Sequence, residues 1–167
     1  LADETRLMFG VRKEVEVIPN FVDIERFRPD GSPRWHRRTD AERVLVHASN
    51  FRPVKRVADV VRAFAEVLRH VPARLLLVGD GPDREHALAV ASDLGCSHKV
   101  EHLGMHDNIE AVLPQADVFL SASETESFGL SMLEAMSCGV PCVSTAVGGV
   151  AEVLGDTGDL TPLADPS

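Results

Sequence analysis

An α/β fold, a parallel sheet with helices on both faces, is the class this sequence predicts, and three observations predict it. Apolar runs short enough for strands alternate with longer segments of helical periodicity. Runs such as LLLV have no polar alternation, as central strands buried on both sides require. Turn residues such as GDGP follow the runs directly.

Taken in order, RVLVHAS (43–49) reads as the first core strand and VADVVRAFAEVLRHV (57–71) as its helix. ARLLLVGD (73–80) precedes the helix PDREHALAVASDLG (82–95), and KVEHLG (99–104) precedes NIEAVLPQ (108–115). ADVFLSA (116–122) then leads into a helix from Phe128 to Cys138, whose apolar residues cover every side of a helical wheel and predict burial nearly all round. PCVST (141–145) and GGVAEVLG (148–155) make the last pair. Ahead of them, 1–13 reads as a polar helix end, VEVIP (15–19) as a strand, and 20–42 as a long polar, proline-containing connection. The far end, GDTGDLTPLADPS, stops among turn residues.

With 167 residues, 44% of them hydrophobic, the chain suits one well-cored domain and is short for two. A net charge of -9 argues against nucleic-acid and anionic-membrane partners, so an anionic ligand needs a local basic pocket. Cys96, Cys138 and Cys142 have neither CxxC nor zinc spacing and read as reduced core thiols of a cytoplasmic protein; CGVPC is the only spacing open to a redox meaning. No apolar run approaches the roughly 20 residues of a membrane span, and no export signal is visible.

In a sheet of this kind ligands sit outside the carboxyl ends of the strands, where HASNFRPVKR, GDGPD, HLGMHD and SASETES gather. ESFGLSMLEAMSCGVP is the most informative of these stretches. Glu126 falls in the loop and Glu134 inside the apolar helix, where a buried carboxylate needs hydroxyl or charged partners. Between them the amides of Ser127, Phe128, Gly129 and Leu130 form a helix start suited to phosphate. An ordinary helix former and a loop charge would give the same bare spacing. Arg52, Lys55 and Arg56 supply clustered cations for a diphosphate, and a solvated charge run is the plainer alternative. Gly79 and Gly81 do not complete a dinucleotide fingerprint, which disfavours an NAD-dependent oxidoreductase; they read as a tight turn with close backbone approach. His47, His102 and His106 lie near strand ends without ligand spacing, and no metal site is expected. Gly148 and Gly149 either offer amides to a ligand or let a helix start pack closely.

Together VIPNFVDIERFRP, SNFRPVKR, LLLVGDGP, VEHLG, ESFGLSMLEAMSCGVP and STAVGGVAEVL run in family order, and the chain resembles the C-terminal domain of the retaining glycosyltransferases of family 4. The resemblance implies a Rossmann-like half of a GT-B fold, with 1–14 the remnant of a preceding N-terminal domain and 15–167 a nucleotide-sugar-binding domain truncated at its end. It implies a UDP-sugar donor, no cofactor and no metal. Glu126 would meet the donor sugar, the amides of Ser127 to Leu130 the diphosphate, and Glu134 the ribose diol. Lys55, with Arg52, would neutralise phosphate, and the backbone of His102, Leu103 and Met105 would face the uracil. Many members carry Arg five positions before the lysine, where this chain has Asn50. NFRPVKR and IPNFVDIERF are most similar to members that move GlcNAc from UDP-GlcNAc to L-malate in bacillithiol biosynthesis. The N-terminal domain implied as a partner within the same polypeptide would hold the acceptor pocket and catalytic histidine, so the fragment alone would be inactive; homo-oligomerisation of the whole protein stays open. The competing reading is a non-catalytic nucleotide-binding regulatory or interaction module.

Overall fold

The structure is a computed structural model that describes residues 2–29 and 41–162. Six parallel strands, β1 (Arg43–Ala48), β2 (Ala73–Val78), β3 (Val100–Gly104), β4 (Val118–Ser121), β5 (Cys142–Thr145) and β6 (Asp159–Thr161), lie in the order β3-β2-β1-β4-β5-β6. The direction of winding reverses between β1 and β4, the Rossmann-like arrangement.

Alternation of side chains along the strands divides the core. Leu45, Leu75 and Leu77 face α2 (Val57–Leu68) and α3 (Arg84–Asp93), with Val57, Val61, Phe64 and Ala91 filling that layer. Val44, Val46, Leu76 and Val78 face the opposite side, with Met132 and Ala135 of α5 (Leu130–Ser137) and Val150 and Leu154 of α6 (Val150–Leu154). All six residues of β2 are buried, so its uninterrupted apolar run is explained by helices on both faces.

Four expectations are corrected. VEVIP forms no strand: Val17 and Ile18 are exposed and no strand of the sheet lies beside them to pair. The motif helix begins at Leu130, because Gly129 takes a left-handed φ of 90° as its N-cap. It is buried on the Met132 and Ala135 face, while Leu130 is exposed and Leu133, Glu134 and Met136 are half-buried. Segment 108–115 is divided into α4 (Ile109–Val112) and a 3-10 turn, Leu113–Gln115, around Pro114. The far end contributes the edge strand β6, where only turns are expected.

The polar helix end at the front is α1 (Ala2–Phe9), closed by Gly10 at φ 61°. Of the polar connection, 20–29 carries a turn that inserts Phe27 into the core; 30–40 lies outside the described residues, as do 163–167.

Candidate functional site at the switch point

Two loops rise where the winding reverses, one after β1 and one after β4. His47 organises the first. Its Nδ1 lies 2.8 Å from the Leu120 carbonyl oxygen and its Nε2 2.8 Å from Ser49 Oγ. A carbonyl only accepts, so Nδ1 carries the proton and Nε2 accepts from the Ser49 hydroxyl. Ser49 Oγ in turn accepts the Phe51 N–H at 3.3 Å. Burial pushes the His47 imidazole down to about 4, against the Leu120 bond and with the help of the Lys55 charge, so it is neutral near pH 7. Phe51 holds a left-handed φ of 37° while fully buried, its ring beside His47 and His102 at 6.0 and 5.7 Å. Packing sustains that strained backbone.

A 3-10 turn, Pro53–Lys55, then carries Lys55 Nζ to within 2.5 Å of Glu126 Oε2 in the second loop. The backbones are joined as well, because Glu124 N–H donates to the Val54 oxygen at 2.8 Å. Arg56 departs from the expected basic cluster: at φ 48° it turns to Asp59, 2.5 Å away.

The glycines place backbone rather than side chains. A Cβ on Gly79 would lie 1.8 Å from the Ser49 oxygen, and one on Gly81 2.2 Å from the Asn50 oxygen. A Cβ on Gly148 would lie 1.8 Å from the Glu126 oxygen, and the Gly149 N–H donates to that oxygen at 3.1 Å. The plainer account of Gly148 and Gly149 is therefore the observed one: they hold the Glu126 loop.

Two cavities flank the bridge between Lys55 and Glu126. One, of about 410 Å³, is lined by Asn50, Lys55, Gly79, Met105, His106, Ile109, Glu126, Leu130 and Ser131 among others. The other, of about 510 Å³, is lined by Asn50, Arg52, Lys55, Thr125, Glu126, Ser127 and Gly148 among others. Each is within the size of ligand sites. Leu130 and Ser131 present first-turn amides of α5, which by position have no acceptor within the helix.

Of the expected residues, Lys55 and Glu126 border both cavities, Gly79, Met105 and Leu130 the first, and Arg52 and Ser127 the second. Gly81, His102, Leu103, Phe128, Gly129 and Glu134 are not among the described residues lining either. His102 instead bonds the Gly79 oxygen through Nε2 at 2.8 Å, and Leu103 packs on the core. Glu134 lies one helical turn beyond Leu130 and Ser131; burial raises its carboxyl pKa, opposed by Arg26 and reinforced by Glu110. Sequence reasoning missed Ser131, Ile109 and the His47 relay. The rule that loops at carboxyl ends form the site would have found Ile109, since it follows β3; nothing local marks His47 as a relay.

Among the described residues no group of three or more His, Cys, Asp or Glu side chains could hold a metal ion, and no helix is long and apolar enough to cross a membrane. Cys96, Cys138 and Cys142 are free and buried, and burial pushes the thiols of Cys138 and Cys142 up to about 11 and 12. They are inert as nucleophiles at neutral pH, which answers the redox question raised by CGVPC. A bridged cation and carboxylate beside first-turn amides can receive a diphosphate and a polyol together.

Comparison with known proteins agrees with this arrangement. The chain is 44% identical over 99% of its length to N-acetyl-alpha-D-glucosaminyl L-malate synthase of Bacillus anthracis, of which it covers 45%. It is 35% identical over 92% of its length to a phosphatidylinositol N-acetylglucosaminyltransferase of Arabidopsis thaliana, covering 34% of that protein. The Anabaena protein HepE, solved in complex with UDP and glucose, superposes with a TM-score of 0.78 at 27% identity, over 88% of this chain and 43% of that one. Sucrose-phosphate synthase from Thermosynechococcus elongatus gives 0.82 at 26%, over 98% and 44%. The chain thus spans less than half the length of each of these relatives. Residues 42–167 match the family described as glycosyl transferases group 1, and the chain belongs to that family.

Proposed function

We propose that the chain is the nucleotide-sugar-binding half, residues 15–167, of a longer retaining glycosyltransferase of GT-B type, with 1–14 the end of a preceding domain. The donor is UDP-GlcNAc and the acceptor a small hydroxylated acid of the L-malate type; both follow the 44% identical relative, whose name states that product. UDP as the nucleotide is supported by the bound UDP of HepE. The observation that carries the reading is the Lys55–Glu126 bridge, 2.5 Å long, at the switch point between two cavities.

In this reading Lys55, with exposed Arg52 at the second cavity, meets the diphosphate together with the amides from Ser127 to Leu130. Arg52 does so in the place of the family arginine that Asn50 displaces. Glu126 meets the sugar hydroxyls and Glu134 the ribose diol, while the backbone of His102, Leu103 and Met105 faces the uracil. Gly79 and Gly81 keep the floor close. The acceptor hydroxyl attacks the anomeric carbon on the face from which UDP leaves, and the cation and amides stabilise the departing charge without a metal. Glu126 and Glu134 are not a hydrolase pair, whose carboxyls flank a single bond about 5 to 5.5 Å apart; they serve opposite ends of a donor. The 167 residues alone bind the donor without turning it over, and the three reduced thiols fit a cytoplasmic enzyme.

The test is transfer by the full-length protein. GlcNAc transfer from UDP-GlcNAc to L-malate is expected, with Glu134→Ala weakening UDP binding by calorimetry. Absence of transfer to any hydroxylated acceptor would favour a regulatory nucleotide-binding module, and undiminished UDP binding by the variant would remove the ribose role.

A further inference from the structure

The segment ahead of the sheet reaches the helix that carries Glu134. Asp23 shapes it: its side chain accepts the N–H groups of Glu25 and Arg26 at 3.0 and 3.2 Å, and its carbonyl accepts that of Phe27 at 2.8 Å. Phe27 is thereby turned into the core layer of Met132 and Ala135, with its carbonyl accepting the Ser137 hydroxyl at the end of α5. Arg26 lies over the Phe27 ring, its Cζ 5.3 Å from the centroid, and is aimed at α4. Its Nη2 donates to Glu110 Oε2 at 2.9 Å and to the Asp107 carbonyl at 3.4 Å.

We propose that Arg26 is a positioning residue of the donor site: by pairing with Glu110 it keeps the neighbouring Glu134 carboxylate charged and available to the vicinal hydroxyls of a nucleotide ribose. The proposal rests on the ribose role given to Glu134 above. Three groups act on Glu134: Arg26 from the leading segment, Glu110 from α4, and Cys138 on its own helix, whose thiol stays neutral. His106 acts on Glu110 in turn. Glu134 is half-buried, which already favours its protonated form. Without Arg26, Glu110 would face it as an uncompensated like charge, and one carboxyl of the two would hold a proton at higher pH. A protonated Glu134 loses acceptor strength toward a diol. Arg26 thus acts through Glu134 without needing to touch the ligand.

The experiment is calorimetry of UDP with the full-length protein at pH 8 and pH 6, each variant compared with wild type at the same pH so that protonation of UDP itself cancels. Arg26→Gln is expected to weaken binding little at pH 8 and up to about tenfold at pH 6, since affinity falls by up to tenfold per pH unit below the pKa of a required carboxylate. Arg26→Lys keeps the wild-type profile, and adding Glu110→Gln to Arg26→Gln restores binding at pH 6. An equal loss at both pH values, no loss, or failure of the second change to restore binding would overturn the proposal. Should Arg26→Gln not fold, Glu110→Gln alone must move the acid limit of UDP binding to lower pH; an unmoved limit would overturn the proposal. Glu134→Ala separates the two layers of argument. If it binds UDP normally, the ribose reading fails and this inference with it; if it weakens binding while Arg26→Gln does not, this inference alone fails.

Discussion

Lys55→Met beside Glu126→Gln is the pair of changes that separates the two ends of the donor. Lys55 and Glu126 side chains are only 21% and 17% exposed and meet at 2.5 Å, so the bridge is shielded from solvent on most sides. Methionine keeps the length of the lysine stem and removes its charge. A hydrogen bond to a charged group contributes about 1.5 to 3 kcal/mol, so Lys55→Met should weaken UDP roughly 10- to 150-fold. Glu126→Gln removes the acceptor for sugar hydroxyls and leaves Lys55 free to meet phosphate. It should therefore weaken UDP-GlcNAc more than UDP, reducing the preference for the sugar nucleotide. The assay is paired calorimetry with UDP and UDP-GlcNAc at one salt concentration, with thermal melts to separate folding from binding. Equal affinity of Lys55→Met and wild type for UDP would refute the reasoning. So would a Glu126→Gln variant that weakens UDP and UDP-GlcNAc to the same extent.

Other outcomes follow from the same geometry. Gly79→Ala places a Cβ 1.8 Å from the Ser49 oxygen at φ 117°, so it should lower the melting temperature and weaken UDP binding together. Gly148→Ala, which meets the Glu126 oxygen at 1.8 Å, should weaken UDP-GlcNAc through displacement of Glu126, read by calorimetry. His47 has a folded pKa of about 4 against an ordinary 6.5, so between those values the unfolded chain binds more protons and stability rises with pH. Roughly 3 kcal/mol is lost on acidification from about pH 6.5 to 4. Urea midpoints across that range check it, and His47→Gln should flatten the slope.

The alternation of strands and helices was readable because fully buried strands carry unbroken apolar runs and their helices end in turn residues. Expected strands 43–49 and 73–80 meet the observed Arg43–Ala48 and Ala73–Val78 to within one or two residues. VEVIP misled because a strand is made by its neighbour, and apolar alternation in Val15, Val17 and Ile18 does not supply one. The start of α5 was displaced by two residues because Gly129 uses its left-handed freedom to break the chain before the helix. In the site, Lys55 and Glu126 were legible from the rule that places ligands at strand carboxyl ends. Glu134 was legible as a buried carboxylate in need of a partner, but not the partner itself: Arg26 and Glu110 stand 84 residues apart and meet only through folding. The same limit hid the His47 relay to the Leu120 carbonyl, 73 residues away.

The central claim is that a nucleotide sugar occupies the crevice between the β1 and β4 loops. Amide chemical-shift mapping with UDP-GlcNAc tests it most directly. The account predicts perturbations concentrated at Asn50 to Lys55, Gly104 to His106 and Glu126 to Ser131, reduced by Lys55→Met. Shifts confined to other faces of the sheet, or none at saturating donor, would contradict it.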